Sequence, residues 1–96
     1  MKKFNKMVTV FFPSLIYKII GDKQIEVQAN TLGEVINILI ERYGASFKKL
    51  IIDESGEVNR FINFYIYGKR ISSLNVLEES LNKDDKINIL IIITGG

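Results

Sequence analysis

The sequence has no cysteine, no histidine and no tryptophan, and its 96 residues include a single proline. Without Cys or His there is no thiolate nucleophile, no Ser-His-Asp triad and no zinc finger. The imidazole that usually carries acid–base work near neutral pH is missing as well. Disulfides are excluded, so the apolar core alone must hold the fold. Together with a start that is not signal-like, this leads us to expect a cytoplasmic setting. Long apolar runs are absent too. The longest, Ile89 to Ile93, is far below the roughly 18 residues of a membrane span. Charge is nearly balanced: Lys+Arg 13 against Asp+Glu 11 gives +2, too little to expect nucleic acid or an anionic membrane as a partner.

What is present is a globular composition, 47% hydrophobic. A chain this size makes one domain over residues 1–96 and buries roughly 60–65% of its unfolded surface. The basic start, residues 1–6, reads as a frayed terminus. Met7 to Phe12 is rich in β-branched and aromatic residues, and Pro13 stops it. Gln24 to Gln28 alternates strictly. With Gly21-Asp22 between them, the two segments predict a hairpin with a long loop. Thr31-Leu32-Gly33-Glu34 reads as a capping box, with the Glu34 carboxylate reaching back to Thr31. The stripe Leu32, Val35, Ile36, Leu39, Ile40 and Tyr43 has helical spacing, and Gly44 stands where a left-handed cap would end it. Gly33 costs about 1 kcal/mol of helix propensity against Ala, for no reason visible in the sequence. Phe47 to Ile52 predicts a short helical turn, Asp53 to Glu57 a loop, and Phe61 to Tyr67 a strand. Arg70-Ile71 fits an edge strand and Val76 to Leu81 a brief turn or helix. Lys83 to Lys86 reads as a tight polar turn before the last strand, Ile87 to Ile93. The order implies an α+β domain, a mixed sheet of 4–5 strands crossed by one main helix.

Strand alternation sorts the sheet into two faces. Val8, Val10, Phe12, Ile25, Val27, Ile62, Phe64, Ile66, Ile87, Ile89, Ile91 and Ile93 form the core set. The opposite set is Thr9, Phe11, Asn63, Tyr65, Tyr67, Asn88, Leu90 and Ile92. Its edge-strand members Gln24, Glu26 and Gln28 are polar, whereas Phe11, Tyr65, Leu90 and Ile92 are not. Those four have the composition of a protein-binding patch, unless long loops fold over them.

Side-chain chemistry finds little support. Glu78-Glu79 and Asp84-Asp85 are adjacent pairs, whose members diverge instead of converging on one substrate atom, and they read as turn or surface charges. Lys48, Lys49, Lys69 and Arg70 lack the aromatic interleaving of an RNA surface. Gly68-Lys69-Arg70 is no phosphate loop, and no metal site is expected. The ending Thr94-Gly95-Gly96 differs. Two glycines without Cβ make a thin tail able to enter a narrow channel, and an α-carboxylate at Gly96 is ionised at neutral pH. That carboxylate is a competent nucleophile toward the α-phosphate of ATP. Taken alone, a terminal Gly-Gly equally fits a frayed end or a cloning scar.

Joined to the rest, the ending gains weight. Val8-Thr9-Val10-Phe11-Phe12 through Leu15-Ile16 to Gly21, Thr31 to Val35, Arg42-Tyr43, Asn63 to Gly68, and Leu81 to Ile87 with the final Gly95-Gly96 resemble the MoaD/ThiS-like β-grasp family. That family holds the small subunit of molybdopterin synthase, other sulfur carriers and ubiquitin-like small modifiers. The sequence departs from its pattern at four places. Asp84 replaces a common glycine, Tyr67 an asparagine, Tyr17 a basic residue and Ile91 a proline. The resemblance implies a β-grasp fold, with the first and last strands paired in parallel at the sheet centre. It also implies a carrier that is not itself an enzyme and binds no cofactor. An E1-like (MoeB/ThiF-like) enzyme would adenylate Gly96 with ATP. A thiocarboxylate would follow and be delivered to the molybdopterin synthase large subunit or another sulfur acceptor. Gly96 is then the reactive residue, Gly95 and Thr94 the threading tail, and Phe11, Tyr65, Leu90 and Ile92 the docking patch. The length and the long connection from Ala45 to Arg60 favour the molybdopterin-synthase branch. A protein modifier joined through Gly96 to target lysines begins with the same adenylate, as does a carrier for thiamin, cysteine or tRNA thiolation.

Overall fold

The computed structural model describes residues 6–71 and 75–92. Strand β1 (Met7–Phe11) pairs antiparallel with β2 (Gln24–Gln28), from Met7 opposite Gln28 to Phe11 opposite Gln24. The expected hairpin therefore forms. Its connection is not an open loop, however: it contains helix α1 (Ser14–Ile20). Pro13 sets an extended entry at φ −72°, its carbonyl accepts from the N–H groups of Ile16 and Tyr17, and Gly21 closes the helix. Ile16 is fully buried, which anchors two turns of helix that would be marginal alone.

Helix α2 (Leu32–Tyr43) follows the predicted stripe, burying Leu32, Val35, Ile36 and Leu39. Thr31 Oγ1 accepts from the Glu34 N–H at 3.2 Å. The Glu34 carboxylate reaches one residue further back than a capping box requires, accepting from the Asn30 N–H at 2.7 Å. Gly44 ends the helix at φ 83°, ψ −158°, an extended conformation with positive φ and not the left-handed cap expected, and one that suits glycine alone. The predicted turn after it is helix α3 (Ala45–Ile51), with Phe47 and Ile51 buried. Three helices thus cover the sheet, with α2 the main one and α1 the unexpected one.

Strands β3 (Ile62–Ile66), β4 (Lys69–Arg70) and β5 (Lys86–Ile91) complete a five-stranded sheet in the order β2-β1-β5-β3-β4. A single 3₁₀ turn, Val76–Glu78, precedes the last strand. β5 lies parallel to β1 and antiparallel to β3. The core set holds: Val8, Val10, Phe12, Val27, Ile62, Phe64, Ile87 and Ile89 are buried, while Ile25, Ile66 and Ile91 pack against them at the margin. Ile93 lies outside the described residues. Phe12, Tyr43 and Phe47 pack as a ring cluster with centroids 5.9–6.2 Å apart, within the favourable range for edge-on aromatic pairs. The frayed-terminus expectation falls on residues 1–5, outside the description. Lys6 itself is held, its ammonium donating to the Leu81 carbonyl at 2.7 Å.

Asp85 corrects a further expectation. It is 2% exposed, the one buried charged residue among those described, not a surface charge of the turn. One carboxylate oxygen, Oδ2, accepts from the Asn82 N–H at 2.8 Å, closing the turn that feeds β5. The backbone N–H of Asp85 donates to the Asn82 carbonyl, and its own carbonyl accepts from Thr9 in β1.

Candidate functional site

With all three helices packed on one face, the other face of the sheet is open. Register places Gln24, Phe11, Asn88, Tyr65 and Arg70 in one cross-strand row. Phe11 and Tyr65 thus lie on either side of Asn88, and both are half-buried. One step nearer the C-terminal end of β5, Leu90 stands opposite Asn63. Leu90 is 41% and Ile92 38% exposed, so no loop among the described residues hides this end of the face. The structure therefore gathers Phe11, Tyr65 and Leu90 on one surface, and Ile92 continues it past the end of the strand. Thr94, Gly95 and Gly96 lie outside the described residues.

At the exit of the tail the Ile92 N–H donates to the Phe61 carbonyl at 2.8 Å, extending the β5–β3 ladder by one bond. Phe61 is exposed, and the Arg60 guanidinium sits 5.5 Å from its ring centroid, a cation–π distance. Beside it a cleft of about 280 Å³ is lined by Leu50, Phe61, Ile62 and Ile91. The sequence places Asn88 on this face but outside the docking four, and it does not single out Phe61. Parity alone carries the signal: each alternates in step with a residue of the patch, Asn88 with Leu90 and Phe61 with Tyr65.

Among the described residues, no group of three or more Asp or Glu side chains converges to hold a metal ion. No helix among them is long and apolar enough to cross a membrane. The groups with displaced pKa values are local fixtures. Burial, then a hydrogen bond to Asp22, raises the Tyr43 phenol above its ordinary 10.0. The Ser55 hydroxyl and loop N–H groups hold the Asp53 carboxyl below its usual value. Desolvation and the Asp85 charge raise the Tyr67 phenol.

A parallel β1–β5 pair at the centre, helices on one face and a last strand running out toward a Gly-Gly ending define a ubiquitin-like β-grasp domain. The ThiS family model matches residues 10–96, and the chain belongs to the ThiS family. Solved structures agree. The small archaeal modifier protein 1 of Methanosarcina acetivorans is 26% identical over 98% of this chain and 100% of its own, with a TM-score of 0.80. CysO of Mycobacterium tuberculosis is 27% identical over 90% of this chain and 99% of its own, at 0.76. A chain of the Amycolatopsis orientalis BexX/CysO complex is 28% identical over 93% and 99%, at 0.76. No curated protein matches the chain.

Proposed function

We propose that this chain is a sulfur carrier acting through the carboxylate of Gly96, and specifically the small subunit of a molybdopterin synthase. The observation that carries the reading is the ThiS-family match running through residue 96, beyond a strand that is paired along both edges. In the proposed cycle a carboxylate oxygen of Gly96 attacks the α-phosphate of ATP in an E1-like, MoeB/ThiF-like enzyme, and pyrophosphate leaves. A sulfur donor then displaces AMP from the acyl carbon to leave a thiocarboxylate. The chain supplies the acyl group and the docking face, and its partners supply the catalytic side chains. Phe11, Tyr65, Leu90 and Ile92 dock the partner, while Thr94 and Gly95 thread its channel, narrowest at the two glycines that lack a Cβ.

The test is the intact mass of the chain after incubation with a competent activating enzyme, ATP and a sulfur donor. Exchange of one oxygen for sulfur is expected, and an unchanged mass overturns the proposal. Product assays with a molybdopterin synthase large subunit then separate that acceptor from thiamin, cysteine or tRNA thiolation. A second reading, a protein modifier, draws on the likeness to a small archaeal modifier protein. It requires the Ile87–Gly96 remnant that trypsin leaves by cutting after Lys86, joined to target lysines in digests of cell extracts, and mass spectrometry reads that directly.

A further inference from the structure

The tail exit has a second side. The cleft of about 280 Å³ beside Phe61 is walled by Leu50, Phe61, Ile62 and Ile91, with Lys49 and Asn59 as its polar lining. Ile62 and Ile91 belong to the helix-covered face of the sheet. The cleft and the Phe11–Leu90 patch therefore flank the end of β5 from opposite sides. Its volume falls just below the roughly 300–1,000 Å³ of small-molecule sites, which suits one inserted side chain better than a cofactor. Phe61 is 43% exposed, and Leu50 and Ile91 are half-buried, so apolar surface remains for an occupant to cover.

The polar groups around the cleft are donors. Asn59 Oδ1 already accepts from the Phe61 N–H at 3.0 Å, which leaves its amide nitrogen to donate. Lys49 stands in the last turn of α3, and the Arg60 guanidinium is placed over the Phe61 ring. Both cations are exposed, and neither has a carboxylate partner among the described residues. Glu57, the acidic residue nearest Arg60 in sequence, lines a different cavity. An apolar recess ringed by donors calls for an apolar group flanked by negative acceptors.

We propose that this cleft docks a segment of a partner protein in which an apolar side chain is flanked by carboxylates. The apolar group fills the cleft against Leu50 and Ile91, and the carboxylates meet Lys49 and Arg60. A segment with basic flanks would meet like charge instead. The chain's own apolar–acidic run, Leu77-Glu78-Glu79, is already engaged, because Leu77 packs on Gly33 and against the core. That run of a second copy is therefore not the occupant. A partner seated here is held at the base of the tail. The docking goes beyond the carrier reading and stands whether or not Gly96 is activated.

The probe is the blocked peptide acetyl-Glu-Leu-Glu-amide, added to the full ¹⁵N-labelled chain and followed by amide chemical shifts. Saturable shifts at Leu50, Asn59, Phe61 and Ile62 are expected. The Glu-Ala-Glu peptide should bind about tenfold more weakly, since the buried apolar group is lost, and the Lys-Leu-Lys peptide about fivefold more weakly. Lys49→Glu combined with Arg60→Glu changes two exposed side chains, so the fold is kept and the preference between the two charged peptides should reverse. No saturable shifts, equal binding of the alanine peptide, or an unreversed preference overturns the proposal. Tenfold tighter probe binding by the Ile93→Ser chain assigns the cleft to the chain's own tail. Shifts of the same amides on raising the protein concentration alone assign it to a second copy. Either result overturns the partner segment as its occupant.

Discussion

Gly33 in α2 faces the backbone carbonyl of Leu77 so closely that a Cβ on Gly33 would lie 2.9 Å from the Leu77 oxygen and 3.4 Å from the Leu77 Cβ. The helix gives up about 1 kcal/mol of propensity at this position so that the 3₁₀ turn can pack flat against its first turn.

Gly33→Ala should therefore destabilise the domain despite the better helix former. Overpacking typically costs 1–3 kcal/mol, which leaves a net loss of up to about 2 kcal/mol after the propensity gain. For a domain of this size that lowers Tm by up to roughly 15 °C. Truncating the Leu77 side chain should not rescue it, because the closest obstacle is a backbone oxygen. A thermal melt of Gly33→Ala alone and combined with Leu77→Ala checks both statements, and full rescue in the pair would contradict the assignment.

Asp84→Gly should stabilise the turn before β5. Asp84 holds φ 68°, a region that costs most L-residues roughly 1–2 kcal/mol and glycine almost nothing. After the greater freedom of glycine in the unfolded chain is deducted, a gain of about 0.5–1 kcal/mol in denaturant unfolding is expected.

Tyr43→Phe removes the 2.6 Å hydrogen bond from the phenol to Asp22 Oδ2, which ties the α1–β2 turn to the end of α2. About 1 kcal/mol should be lost at neutral pH. The alkaline limb should change as well. The phenol pKa is raised in the folded state by burial and by Asp22, so its contribution is complete below the unfolded value of 10.0. It disappears as pH rises through the higher folded value. Stability curves of the two proteins should converge at alkaline pH, and parallel curves would show that the bond carries no linkage.

Leu90→Asp addresses the open face. Leu90 is 41% exposed, so the change should alter stability by only about 0.5 kcal/mol. Placing a charge in the patch should nevertheless slow thiocarboxylate formation by about tenfold or more, because the docking contact is desolvated on binding. An unchanged rate removes this face from the interface.

Much of the fold was legible because its signals are local. The Thr31 cap and the apolar stripe specify α2, and strand alternation alone sorts Val8, Val10 and Phe12 from Thr9 and Phe11. Helix α1 escaped because two turns give too short a period. Its apolar residues also point both ways, with Ile16 buried but Leu15 and Ile19 more than half exposed. Asp85 escaped for a different reason. An acidic pair beside lysines looks solvated, and only the insertion of β5 between β1 and β3 buries it. That insertion pairs residues some 75 positions apart, as in Thr9 with Lys86, and no local pattern encodes it. Resemblance to a family supplied it. Parity alone puts the four residues proposed for docking on one face, whereas the pairing that seats Asn88 between Phe11 and Tyr65 needed the register.

The central position of β5 also governs how the domain answers to force. Traction applied through the tail runs along the strand, so the hydrogen bonds to β1 and β3 are strained side by side and must yield together. The two-residue β4 at the sheet edge has no second neighbour and would peel away bond by bond. Anything that grips this domain by its C-terminal end therefore pulls on the part of the sheet that resists extension most.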